Sequence, residues 1–174
     1  MMNWTELLRS EVENNFAATD KLLGKVDENG LDWKPATGTN WMTMGQLLRH
    51  ISEACGLAFK GFVTGDWEMP DGVDLSSVSP EEMLPPAEKM LSVSSVAEAR
   101  QLLAEDHQTA LDMLIKCGEE RLATEPAPAP WDPSKIIMGQ RLLHMVYHLG
   151  QHRSQLFYYL KLQGKQVHTG DLWG

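Results

Sequence analysis

The chain predicts an all-α fold, a four-helix bundle with a long crossover between its second and third helices. Three observations carry that prediction. Apolar residues recur three and four apart along four long stretches, and no stretch alternates with period two for any length. A segment rich in Pro, Gly, Asp and Ser, residues 65–94, separates the second stretch from the third.

The first helix is expected from Trp4 to Val26. Trp4, Leu8, Val12, Phe16, Thr19, Leu23 and Val26 fall on one stripe, and Asn3 with Glu6 offers a reciprocal cap. The connection from Asp27 to Met42 carries Gly30, Pro35 and Gly38, with Trp33 and Trp41 expected to pin it to the bundle. Thr43 followed by Gln46 is a capping-box start for the second helix, whose face is Leu47, Leu48, Ile51, Ala54, Cys55, Ala58 and Phe62, ending near Gly65. Ser95 with Glu98 opens a third helix through Leu102, Leu103, Ala110, Met113, Leu114 and Cys117. The prolines of EPAPAPWDP forbid helix and make a stiff connector. The fourth helix is expected from Ile137 to Gln163, with Gly164 as its stop.

The 174 residues suit a single domain, 1–174, with enough chain to bury a core. Acidic residues number 24 against 15 basic ones, a formal net charge of −9, and Lys and Arg form no stripe. That distribution argues against nucleic acid and against an anionic membrane surface as partners. No basic–apolar–small succession opens the chain and no apolar run approaches a membrane span, so a cytoplasmic location is expected. Cys55 and Cys117 lie inside helical patterns, as core filler rather than a disulfide or thiolate site.

The histidines carry the functional argument. His144, His148 and His152 form a ladder in the fourth helix. Adjacent rungs rise about 6 Å, so two imidazoles can grip one ion, while the outer pair is about 12 Å apart and cannot. Either His144 with His148 or His148 with His152 must be used. The stripe of Leu142, Met145, Leu149, Leu156 and Leu160 favours the second pair, because His152 turns towards the core and His144 away from it. His50, at the edge of the Leu47–Ile51–Ala54–Ala58 stripe, is the best third ligand, with Glu53 near enough for an outer carboxylate. His107 is expected to face the core from the third helix and His168 lies in the tail. A histidine at the edge of an apolar face is more often a hydrogen-bonded structural residue, so the bundle context matters to this reading.

Two stretches, WKPATGTNWMTMGQLLRHISEA and HMVYHLGQHRSQLFYYLKLQGK, together with the helix order and long crossover, resemble the DinB-like (DNA-damage-inducible) family of metal-dependent proteins. The resemblance covers nearly the whole chain. It implies a bundle holding a divalent metal by one histidine of the second helix and two of the fourth, here His50, His148 and His152. Ser154 stands where the family commonly has glycine, and Gln151 where a further histidine is frequent. The family also implies thiol-dependent transfer or isomerisation, in which a low-molecular-weight thiol attacks a small-molecule electrophile at the metal.

Three imidazoles leave at least one coordination position open, as a catalytic centre requires. Zinc is the default ion for such ligands, with nickel, iron(II) or manganese fitting an octahedron completed by water. Metal-dependent hydrolysis is the alternative chemistry at the same ion. A stress-response binding module with a structural or vestigial metal is the non-enzymatic alternative. The general base is not evident; Glu53, His144 and Tyr147 are within consideration, and Arg153 could hold an anion or pack helices. A homodimer is an expectation from exposed tryptophans and bundle faces.

Overall fold

The computed structural model describes residues 3–67 and 86–174, and among these it is helical, with isolated β-bridges but no strand. The helices are α1 (Trp4–Leu23), α2 (Met44–Ile51), α3 (Gly56–Thr64), α4 (Val96–Thr124), α5 (Met138–Leu162) and the short α6 (Thr169–Trp173). Most of the crossover expected over 65–94 lies outside the described residues.

α1 starts where its sequence says. Asn3 and Glu6 form the reciprocal cap. The Glu119 carboxylate of α4 takes the freed amides of Trp4 and Thr5 at 3.1 and 2.9 Å. Leu8, Val12, Phe16 and Leu23 are buried as the stripe predicted. Full burial of each such side chain stabilises the fold by about 1.5–3 kcal/mol.

The helix directions explain the long crossover. Trp4 meets Gly139 and Asn15 meets Arg153, so α1 and α5 run side by side in the same direction. Thr5 pairs with Glu119 and Asp20 with Arg100, so α4 runs against α1. Leu57 meets Asp106 and Val63 meets Arg121, so α3 runs with α4. The second and third arms of the bundle are therefore parallel. The chain must travel back the length of the bundle between them, which only a long connection can do.

The expected second helix is two helices. α2 ends at Ile51, the chain turns through Ser52–Cys55, and α3 restarts at Gly56. Ser52 Oγ donates to Leu48 O and to Ala99 O, both at 2.8 Å, which ties the turn to α4. Asp106 of α4 accepts from the amides of Cys55, Gly56 and Leu57 at 3.2, 2.8 and 2.9 Å, capping the restart from across the bundle. A Cβ at Gly56 would lie 2.1 Å from the Asp106 carbonyl, so only glycine lets the helices meet there.

Two further details differ from the sequence reading. The α4 cap is not reciprocal: Ser95 takes the Glu98 amide, while the Glu98 carboxylate bonds Ser94, and Glu28 takes the Val96 amide. α4 also breaks at Gly118, whose φ of 73° is left-handed, before a last turn to Thr124. After it, the proline-rich connector doubles back on itself, fastened by buried Arg141 to Ala127 O, Asp132 and Ser134. α5 runs one residue short of expectation at each end and stops before Gly164, at φ 77°.

Candidate metal centre

α2 and α5 run antiparallel, which sets His50 opposite His152 and Ala54 opposite His148. The Nε2 atoms of His50 and His152 are 3.0 Å apart, and those of His152 and His148 are 2.9 Å apart. One ligand atom from each of the three residues lies within 4.8 Å of the others. The rings stand nearly edge to face, at interplanar angles of 79–88°. All three are half-buried. His144 is exposed and outside the cluster, as the helical wheel required.

The outer nitrogens fix the rings. His148 Nδ1 lies 3.2 Å from Ala54 O, and His152 Nδ1 lies 3.0 Å from Gln155 Oε1. Both partners are acceptors, so each Nδ1 carries the proton and each Nε2 turns a bare lone pair inward. The Gln155 amide is oriented in turn by Tyr159, whose hydroxyl donates to Met42 O at 3.1 Å. Trp33 and Trp41 stack edgewise on the Tyr159 ring at 5.5 and 6.1 Å. The connector between α1 and α2 thus reaches the histidines through Tyr159 and Gln155.

The break between α2 and α3 does the same for His148. In a continuous helix the Ala54 carbonyl would accept from the amide four residues on. Because α3 restarts at Gly56 and its first bond runs from Phe59 to Cys55 O, the Ala54 carbonyl is free to face the imidazole. The sequence reading missed this arrangement. Its signal was Asp106, a carboxylate lying between Leu103 and Ala110 on the core stripe of α4 with no nearby cation in sequence. It is 5% exposed, and burial pushes its carboxyl up to about 6 against the lowering pull of the three amides.

Glu53, expected as the outer carboxylate, is instead forked to Arg49 at 2.8 and 2.5 Å. Among the described residues it makes no hydrogen bond to the imidazoles; Ala54 O and Gln155 take that place. His107 stacks on Phe16 at 4.7 Å, and its Nε2 is 3.5 Å from Glu13. His168 caps α6. Cys55 and Cys117 are buried free thiols, both pushed up first by burial.

The donor set fits a cation. Burial, then repulsion from His152 and His148, pushes His50 down to about 4, and burial also lowers His152. His50 and His152 are therefore neutral near pH 7. A proton on His50 Nε2 could satisfy only the lone pair of His152, leaving that of His148 facing another nitrogen. A shared metal ion satisfies all three.

An all-helical bundle with a three-histidine cluster between its second and last arms is the class the fold and site define. The chain belongs to the DinB superfamily, whose family model matches residues 11–156. No curated protein matches it significantly in sequence. The cluster could hold a metal ion, in keeping with that family's association with metals. No described helix is long and apolar enough to cross a membrane.

Proposed function

We propose that this chain is a divalent-metal-dependent enzyme that uses His50, His148 and His152 as ligands and transfers a low-molecular-weight thiol to, or isomerises, a small-molecule electrophile. The observation that carries the reading is the convergence of three Nε2 atoms, two of them turned inward by acceptors on Nδ1. Separations of 2.9 and 3.0 Å between neighbouring Nε2 atoms are close enough for the three rings to share one ion. Three imidazole nitrogens would suit zinc by default, and nickel, iron(II) or manganese where other ligands complete the shell. Such an ion, when bound, supplies Lewis acidity that lowers the pKa of a bound thiol or water.

The chain's own residues orient and select. Gln155 and the Ala54 carbonyl hold two rings in one tautomer, and Asp106 holds the turn that presents the carbonyl. Neither chain thiol serves as nucleophile, since burial keeps both protonated. A thiol reaction here needs a thiol from solution.

The test is metal content and stability of purified protein and of His148→Ala. An enzyme centre should lose its metal with little change in the unfolding of the apoprotein. A structural ion would take helicity and thermal stability with it, favouring the binding-module reading. Titrating the cobalt-loaded protein with a small thiol should give a sulfur-to-metal charge-transfer band. Absence of the band, with ester hydrolysis retained, would favour the hydrolase instead.

A further inference from the structure

On the other side of α5 from the imidazoles, a groove of about 840 Å³ runs between α1 and α5 and ends at Trp173 and Gly174. Its α5 wall is Tyr147, Gly150, Gln151, Arg153 and Ser154. These positions centre roughly 150° round the helix from the His148–His152 edge. No metal-candidate histidine lines it.

Arg153 is the unusual group there. The residue is only 8% exposed, and no carboxylate among the described residues pairs with it. Its Nη1 donates to Asn15 O and Asn15 Oδ1 at 3.2 and 3.0 Å. Its Nε is buried without any acceptor, and Nη2 makes no hydrogen bond among the described residues. A guanidinium cannot shed its proton to escape this cost. The Asn15 amide is itself set by a bond from Nδ2 to Glu11 O at 2.8 Å, so Oδ1 must face Arg153. A Cβ at Gly150 would make ordinary contact with Asn15 Oδ1 at 3.4 Å and with Nη2 at 4.0 Å, so position 150 lies beside that nitrogen and only a larger side chain there would cover it.

We propose that this groove binds a small organic carboxylate or phosphate, with Arg153 Nη2 as its primary contact and Lys21 as a second cation. Two cations, Arg153 and Lys21, line the groove, in a chain whose net charge is −9. An anion supplies the counter-charge that the fold withholds from Arg153. Tyr147 and Trp173, 54% and 74% exposed, line the groove beside that centre and suit a ligand with an apolar or aromatic body. The site is independent of the metal centre, so either can fail alone.

The experiment follows the Arg153 Nε–H resonance by NMR in the full-length chain. Inorganic phosphate, phenyl phosphate and benzoate are titrated separately at ionic strength held constant with chloride. A saturable shift is expected, stronger for one aromatic probe, and which one separates phosphate from carboxylate recognition. Gly150→Leu, which keeps Arg153 but fills the approach to Nη2, should weaken binding at least tenfold. Lys21→Ala, an exposed change that leaves the packing intact, should weaken it two- to fivefold. No saturable shift with any probe overturns the proposal. Unchanged affinity in Gly150→Leu, or in Lys21→Ala should the first variant not fold, overturns it equally.

Discussion

Replacing His50 with glutamine should change how the apoprotein responds to acid. In the fold His50 is held down to about 4, against an ordinary 6.5, by burial and by the two neighbouring imidazoles. The unfolded chain therefore takes up a proton before the folded one does. Stability is intact above pH about 6.5, falls as pH drops through the window, and levels off below about 4. A difference of about 2.5 units corresponds to about 3 kcal/mol, trimmed towards 2 by the ring's solvent-facing edge. Other titrating groups, the raised Asp106 carboxyl among them, act on wild type and variant alike. The useful quantity is thus the difference between them. Urea unfolding of metal-free wild type and His50→Gln at pH 7.5 and pH 4 should show the wild type losing 2–3 kcal/mol more. Equal losses would mean that His50 titrates normally, and its close packing against the two other rings would be wrong.

Three other outcomes follow from the same contacts. Asp106→Ala strips the acceptor from three amides and should cost about 3 kcal/mol in denaturant unfolding. It should also weaken metal binding 10- to 100-fold through the displaced Ala54 carbonyl, and unchanged affinity would break that link. Gln155→Leu should leave stability nearly intact but lower metal affinity about tenfold in a competition titration, because His152 loses the partner that fixes its tautomer. Gly56→Ala should lose at least about 3 kcal/mol or fail to fold, since the new Cβ meets the α4 backbone; wild-type stability would refute the close approach.

The sequence by itself determined the helical class, the four arms, the caps at Asn3 and Thr43, the stop at Gly164 and the three histidines that meet. These are local facts. Apolar spacing, side-chain caps and the rise between His148 and His152 depend on residues a few positions apart. Choosing His152 over His144 also needed only the angle of each against its own apolar stripe.

What only the tertiary structure decided comes from contacts between distant segments. The break between α2 and α3 is invisible in a stripe that runs unbroken from Leu47 to Phe62. It exists because Asp106, some fifty positions away, supplies the acceptors that α3 needs at its start. The partners of the ligand rings came out differently for the same reason. Glu53 was near His50 along its own helix, but Arg49 on the same helix claimed it, and a backbone carbonyl freed by the break took its place. The groove around Arg153 is likewise a property of α1 and α5 together, since either helix alone would show an arginine with ordinary access to water.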